Sequence, residues 1–189
     1  MEFNERVFES FPVLETERLI LREIIPEDVT EVFEIRSSKD VMRYFGKEPL
    51  KSITEAEELI KMTTDGFKNK EGIRWGITLK GTEKLIGSGG IWRILKPHLR
   101  GEIGYELSPE HWKKGIMSEA ISEMVRFSFE KMNLHTIEAN LDPANIASIK
   151  LLEKAGFVKE GHIKESYYQN GAFTDTAVYS IINKRLYES

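Results

Sequence analysis

The chain has 189 residues, of which 40% are hydrophobic and 31% charged, proportions typical of one globular domain with a substantial core. The net charge of -4 and a pI of about 5.7 disfavour general nucleic-acid binding through a basic face. Because the chain contains no cysteine, disulfides, thiol catalysis and thiolate metal sites are excluded, and the composition fits a reducing cytoplasm.

No apolar run approaches the roughly 20 residues that cross a bilayer. The N-terminus also lacks the basic start and apolar core of a secretory signal. We therefore expect a cytoplasmic protein without a membrane partner. Since no Pro/Gly/Ser-rich linker divides the chain, the sequence predicts an N-terminal arm at residues 1–13 and a single domain at residues 14–189.

The predicted elements begin with a strand at residues 19–22. Pro26-Glu27-Asp28 then opens a helix, with proline in the first turn and acidic residues near its positive end. A capping box from Ser52 to Glu55 predicts a second helix over residues 52–69. A turn at residues 80–83 joins the first two of three further strands, at residues 75–79, 85–91 and 102–107.

The second half of the chain alternates helices and strands. Helical spacing of apolar residues predicts a helix over residues 116–132, and Gly156 closes another over residues 145–155. The remaining strands are predicted at residues 136–141, 157–163 and 177–182, the last two around Asn170-Gly171. This order predicts a mixed sheet with helices packed against it.

The run HWKKGIMSEA at residues 111–120 connects a predicted strand to a predicted helix. The start of a helix offers backbone N–H groups without partners and a partial positive charge. Lys113 and Lys114 add charge that opposes the helix dipole, Gly115 permits close approach of a ligand, and Ser118 offers a hydroxyl. The pattern predicts a seat for a phosphorylated ligand, with a solvated lysine turn as the alternative. The spacing fits neither a P-loop nor a Rossmann fingerprint.

Six sequence blocks follow one another along the chain: ETERLILR at 15–22, IGY at 103–105, WKKGIMSEA at 112–120, LHTIEA at 134–139, NIASIKLLEKAGF at 145–157, and Asn170-Gly171 with Asp175. This ordered set resembles the GNAT superfamily of acetyl-CoA-dependent N-acetyltransferases. It is most similar to the branch of ribosomal-protein N-terminal-alanine acetyltransferases.

The resemblance implies an α/β (mixed α+β), GNAT-like three-layer fold. Its central, mostly antiparallel twisted sheet is expected to have six to seven strands, splayed at the middle, with about four helices on the two faces. The pantetheine arm of acetyl-CoA is expected between strands 102–107 and 136–141, where Gly104 suits a bulge that frees an N–H group.

The resemblance also assigns the residues that bind the cofactor. Backbone contacts to the pantetheine and acetyl groups are expected from Tyr105, Glu106 and Leu107, and a contact to the pantetheine arm from Asn145, which can also cap its helix. The pyrophosphate is expected to be lined by Lys113, Lys114, Gly115, Ile116, Met117 and Ser118. No metal is expected.

Two side chains are implied in the chemistry. Ser148 is expected near the sulfur, as proton donor to the departing thiolate, because many relatives carry a tyrosine where this chain has Leu152. Glu102 is the first candidate for the general base, acting directly or through a water, with Glu138 and Asp175 as alternatives. A surface ion pair is the alternative interpretation of each carboxylate.

The predicted function is the transfer of an acetyl group from acetyl-CoA to a primary amine, either a protein N-terminal α-amine or a small amine. An α-amine has a pKa of about 7.7–8.0 against about 10.4 for lysine, so it is easier to deprotonate near neutral pH. The alternatives are a catalytically silent acyl-CoA-binding regulatory module and a nucleotide-phosphate enzyme. We expect no direct nucleic-acid partner and either a monomer or a homodimer.

Overall fold

The computed structural model describes residues 2–169 and 171–184, and within them it contains eight strands and five α-helices. The strands are β1 (Leu14–Glu15), β2 (Leu19–Glu23), β3 (Ile73–Leu79), β4 (Leu85–Leu95), β5 (Arg100–Leu107), β6 (Thr136–Leu141), β7 (Val158–Gln169) and β8 (Ala172–Ile182). The helices are α1 (Val29–Ser37), α2 (Lys39–Met42), α3 (Ile53–Lys68), α4 (Ile116–Glu130) and α5 (Ile146–Lys154). None of the helices in this described part is both long and apolar enough to cross a bilayer.

The strands form one sheet in the order β1-β2-β3-β4-β5-β6-β8-β7. Neighbours are antiparallel except β5 and β6, which are parallel. The mixed α/β class is confirmed. The strand and the helix beyond the expected numbers are β1 and α2, which are too short to produce a periodic pattern. The hairpin of β7 and β8 is longer than predicted, and Asn170, predicted in its turn, lies outside the described residues.

The helices pack on both faces of the sheet and make it the middle of three layers. On one face, α4 and α5 bury the larger core, which includes Trp75, Ile121, Met124, Ile137 and Leu152. On the other face, α1 and α3 cover a smaller core, which includes Val32, Ile35, Ala56, Ile60 and Leu85. We refer to these as the α4–α5 face and the α1–α3 face.

The residues before β1 contact the larger core. The ring of Phe11 lies 5.0 Å from that of Phe67 and 6.4 Å from that of Trp75, measured between centroids. Phe8 is 9% exposed, and Glu5 pairs with Lys70 and with a second lysine on the loop after β4. This segment therefore packs along the edge of the domain.

Gly104 pairs with Gly90 of β4 in regular register, so the bulge predicted at this glycine is wrong. The absence of a side chain at this position instead leaves room for the indole of Trp92. A Cβ on Gly104 would lie 2.1 Å from Cη2 of Trp92, because the indole lies across the glycine on the α1–α3 face.

A buried ionic cluster joins α1 to three strands. The Glu106 carboxylate, on β5, accepts hydrogen bonds from Arg36 Nε (2.8 Å), Arg74 Nη2 (2.7 Å) and Ser88 Oγ (2.7 Å). Its side chain is 5% exposed and that of Arg36 is 7% exposed. Because an unpaired charge in such a place is very costly, the cluster fixes α1, β3, β4 and β5 relative to one another.

Burial raises the pKa of the Glu106 carboxyl, but the charges of Arg74 and Arg36 and the hydrogen bonds to the carboxylate outweigh it. They hold the pKa of Glu106 below its ordinary value. A carboxyl whose pKa is lower in the folded state binds its proton more readily when the chain unfolds. The cluster therefore stabilises the fold fully above the ordinary glutamate pKa, and this contribution is lost as the pH falls through the lower folded-state value.

We predict that Glu106→Gln lowers the free energy of unfolding by about 3–5 kcal/mol at neutral pH, because the buried guanidinium of Arg36 and the partly buried one of Arg74 lose their counter-charge. Urea denaturation measures the change. The difference in the free energy of unfolding between the variant and the wild-type protein should become smaller in strong acid. Glu110→Gln, at an exposed position, is the control and should stay within about 0.5 kcal/mol. Equal stability of the Glu106→Gln variant and the wild-type protein at neutral pH would contradict the prediction.

Candidate active site

A gap opens between β5 and β6, which we call the strand gap. The ladder between these strands has three partner pairs, and Glu102 with Glu138 is the last. Beyond that pair, β5 stays bonded to β4 as far as Leu107, whereas β6 stays bonded to β8. Residues 103–107 and 139–141 therefore diverge, which is the splayed sheet that the sequence predicts.

Alternate N–H groups of β5 point into the strand gap. Ser108 N donates to the Ile86 carbonyl (2.8 Å), so Glu106, two residues earlier, belongs to the set whose main chain bonds to β4. The N–H groups of Tyr105 and Leu107 consequently point toward the gap. Glu106 does not join them, because its main chain faces β4 and its carboxylate lies in the buried cluster on the α1–α3 face.

The turn before α4, residues 112–118, which we call the α4 turn, presents main-chain donors at the start of the helix. Of these residues, Trp112 already donates its N–H to the Pro109 carbonyl (3.1 Å). The first bond within the helix runs from Glu119 N to the Gly115 carbonyl (3.1 Å), which leaves the preceding helical amides without an acceptor in the helix. Lys113 and Gly115 have φ of 60° and 76°, the left-handed conformation found in backbone anion nests. The turn can therefore bind a phosphate group.

The side chains of the α4 turn divide between solvent and core. Lys113 and Lys114 are exposed, whereas Ile116 and Met117 are buried against the sheet. The two apolar residues can therefore meet a ligand only through their main chain. Trp112 fixes the turn to the end of β5, since its Nε1 donates to the Leu107 carbonyl (2.8 Å).

A second set of contacts fixes the other side of the α4 turn, and we call it the Arg18 clamp. Arg18 Nη1 donates to the Lys114 carbonyl (3.0 Å), and Arg18 Nε donates to Glu119 Oε2 (2.6 Å). Glu119 Oε1 also accepts from Arg18 N (2.8 Å) and Thr16 Oγ1 (2.5 Å). The sequence blocks at 15–22 and 112–120 are thus in direct contact.

On the far side of the strand gap, α5 begins with Asn145 as its cap. Asn145 Oδ1 accepts from Ser148 N (3.1 Å), as the sequence predicts, and this bond leaves the Nδ2 protons for another acceptor. The Ser148 hydroxyl lies 2.6 Å from the Tyr105 hydroxyl, which joins α5 to β5 across the α4–α5 face. Burial raises the pKa of Tyr105 to about 12, although the hydrogen bond with Ser148 acts in the opposite direction.

Two of the three carboxylates predicted as candidate bases meet at the closed end of the strand gap. Glu102 and Glu138 are ladder partners, and their parity along the strands directs both side chains to the α1–α3 face. Glu102 pairs with Arg93 (3.0 Å), and Glu138 pairs with Arg100.

Asp175 lies apart from this pair. It belongs to the part of β8 that precedes the ladder with β6, and that ladder begins at Ala177. Its carboxylate accepts from Glu165 N (2.9 Å) and contacts His162 Nε2 (2.6 Å), and these two bonds lower the pKa of Asp175. Asp175 therefore lies in the part of the β7–β8 hairpin that projects beyond β6.

The projecting part of the β7–β8 hairpin reaches the loop after α2. A Cβ on Gly46 would lie 2.8 Å from Cε1 of Tyr167, so the ring rests directly on this glycine. Tyr167 is 49% exposed and Tyr168 64% exposed, which leaves aromatic surface at the rim of the α1–α3 face. Of the residues that shape the site, the sequence reasoning missed the side-chain contacts of Arg18, Trp112 and Tyr105, although all three lie in the blocks that carry the resemblance.

Comparison with known proteins agrees with this geometry. The family model for the acetyltransferase (GNAT) domain matches residues 18–158, which include the strand gap, the α4 turn and α5. The N-acetyltransferase YoaA of Bacillus subtilis (strain 168) is 45% identical over 175 residues, which cover 93% of this chain and 99% of YoaA.

Two solved structures share the fold over nearly their whole length. The ribosomal-protein-S5-alanine acetyltransferase from Vibrio fischeri is 29% identical, with a TM-score of 0.74 and coverage of 92% of this chain and 97% of that one. The spermidine N-acetyltransferase from Vibrio cholerae, in complex with CoA and spermine, is 28% identical, with a TM-score of 0.78 and coverage of 88% and 96%. On the family match, the relatives and the splayed sheet together, the chain belongs to the GNAT family of acetyltransferases.

Proposed function

We propose that the protein transfers an acetyl group from acetyl-CoA to a primary amine, with the thioester held in the strand gap. The observation that carries the proposal is the gap itself, because an edge of β5 with inward N–H groups can pair with an extended amide chain. Pantetheine is such a chain. An enzyme acting on nucleotide phosphates would use the α4 turn, but that function would not require the strand gap.

The cofactor contacts in this proposal follow the gap from one end to the other. The diphosphate meets the amides of the α4 turn and the exposed charges of Lys113 and Lys114. The amide groups of the arm lie along the N–H groups of Tyr105 and Leu107, and Asn145 Nδ2 approaches from α5. Glu106 has no part in this binding, because both its main chain and its side chain have other partners.

The proposed chemistry uses groups on the two faces of the sheet. The amine enters from the α1–α3 face and loses a proton to Glu102, directly or through a water, as its nitrogen attacks the thioester carbon. Main-chain N–H groups stabilise the oxyanion that forms. The carbon–sulfur bond then breaks toward Ser148, which meets the sulfur from the α4–α5 face. Because the reactants are held side by side, proximity supplies much of the acceleration.

We propose a peptide N-terminus as the acceptor, in preference to a polyamine. The argument is the charge on the α1–α3 face of the strand gap, where three carboxylates meet four guanidinium groups: Glu102, Glu106 and Glu138 against Arg36, Arg74, Arg93 and Arg100. A multiply charged polyamine needs an excess of negative charge, which this group lacks. A single amine that becomes neutral before attack needs none.

Acetyl transfer to an amine panel tests the proposal. We expect release of free CoA with a peptide that has an unblocked N-terminus, and a kcat/KM at least 10-fold lower with spermidine, from the charge argument. The same peptide with an acetylated N-terminus is the control. If CoA binds by calorimetry but no amine is acetylated, the protein is instead a silent acyl-CoA-binding module.

A second prediction concerns the general base. Glu102→Gln should lower kcat by about 100-fold or more at neutral pH, because the amine loses its proton acceptor. The KM for acetyl-CoA should change little, since this carboxylate faces the acceptor side. Glu138→Gln is the matched variant, next to Glu102 on the neighbouring strand. A loss of turnover in Glu138→Gln alone would assign the base to Glu138.

A third prediction concerns the Arg18 clamp. Arg18→Gln should raise the KM for acetyl-CoA about 10-fold, because the α4 turn loses the contact that holds its Lys114 carbonyl and its diphosphate site weakens. S-acetyl-pantetheine, which lacks the diphosphate, should react equally well with the variant and the wild-type protein. Arg126→Gln removes ion pairs farther along α4 and is the control. Equal losses with both donors would contradict a role at the diphosphate.

A further inference from the structure

We propose that Tyr105 is a positioning residue for the leaving group: its hydroxyl donates to Ser148 Oγ and so directs the Ser148 proton at the thioester sulfur. The inference rests on the proposed acetyl transfer and deepens it. It concerns the α4–α5 face of the strand gap, where the hydroxyl oxygens of Tyr105 on β5 and Ser148 on α5 lie 2.6 Å apart.

The direction of this hydrogen bond decides what Ser148 can do. Either oxygen could donate, but a phenol, with an ordinary pKa of about 10, is a far stronger acid than an alkyl hydroxyl. A partly buried phenol also needs an acceptor, and its hydroxyl has Ser148 Oγ within hydrogen-bond distance. With Tyr105 as the donor, Ser148 Oγ accepts one hydrogen bond, and the Ser148 hydroxyl proton stays available for donation to the thioester sulfur.

The serine is held in place from two directions. Its main-chain N–H donates to Asn145 Oδ1 (3.1 Å), which fixes the first turn of α5. Its hydroxyl oxygen is fixed by Tyr105, on the opposite strand. Leu152, one turn later on α5, is 1% exposed and has no hydroxyl, so the phenol comes from β5 and not from the helix.

The pair acts on the sulfur by hydrogen bonding, without full proton transfer. A thiol has a pKa of about 8.5, whereas burial raises the pKa of Tyr105 to about 12. The thiol is thus the stronger acid by more than about a thousandfold, so the proton stays on the phenol and is not passed to the thiolate. The tyrosine also remains a donor throughout the physiological pH range.

The electrons and protons of the step balance without any further reagent. As the tetrahedral intermediate collapses, the carbon–sulfur pair moves to sulfur, and Ser148 O–H donates a hydrogen bond to the growing negative charge. Polarisation by the Tyr105 hydroxyl strengthens that bond. The thiolate departs and takes from solvent a proton equivalent to the one that the base removed from the amine.

The test is a double-mutant cycle on kcat with acetyl-CoA and the productive amine. We expect Tyr105→Phe, which removes one oxygen, to lower kcat about 10- to 100-fold, with the KM for acetyl-CoA and the calorimetric Kd for CoA changed less than twofold. Ser148→Ala should lower kcat at least as much. The double variant should be no slower than Ser148→Ala, because Tyr105 acts through the serine.

Tyr179→Phe is the matched control. It removes the hydroxyl of a buried tyrosine on β8, also on the α4–α5 face, and should keep kcat within about twofold of the wild-type value. A wild-type kcat in Tyr105→Phe, or losses that multiply in the double variant, would overturn the inference. A wild-type protein that acetylates no amine would instead overturn the proposed function, and the inference with it.

Discussion

The end of pairing between β5 and β6 is the constraint on which the site depends. Main-chain N–H groups along a strand normally donate hydrogen bonds to a neighbouring strand, and leaving them unpaired inside a sheet is energetically costly. Here β5 is held by β4 and β6 by β8, so neither strand can turn to close the gap beyond Glu102 and Glu138. The N–H groups of Tyr105 and Leu107 are thus kept ready for an extended amide chain, and α4 and α5 begin on either side of the opening.

The two faces of the sheet give this opening different chemistry. Hydroxyl groups meet on the α4–α5 face, whereas the carboxylates and their arginine partners lie on the α1–α3 face. The separation follows from the alternation of side chains along a strand, since Tyr105 and Glu102 differ in parity on β5. An acyl group in the gap would therefore have a proton acceptor on one side and a stabilised leaving group on the other, without any movement of the strands.

The elements that follow from local patterns could be predicted. β6 has the predicted bounds, α4 begins where the run after Gly115 indicated, and Asn145 caps α5, because periodicity and capping depend on adjacent residues. Contacts between distant residues could not be read in this way. The burial of Glu106 depends on a partner 70 residues away, and the contact of Tyr105 with Ser148 spans 43 residues. The error at Gly104 has the same origin, since nothing near it in the chain reveals the indole lying over it.

The positions of the three tryptophans carry a spectroscopic consequence. Trp75 is fully buried in the larger core, Trp92 lies on the α1–α3 face beside the carboxylates, and Trp112 is 42% exposed at the α4 turn. Ligands at the two ends of the gap would thus approach different indoles. Intrinsic fluorescence can therefore distinguish occupancy of the diphosphate end from occupancy of the amine end, with the core indole as an internal reference.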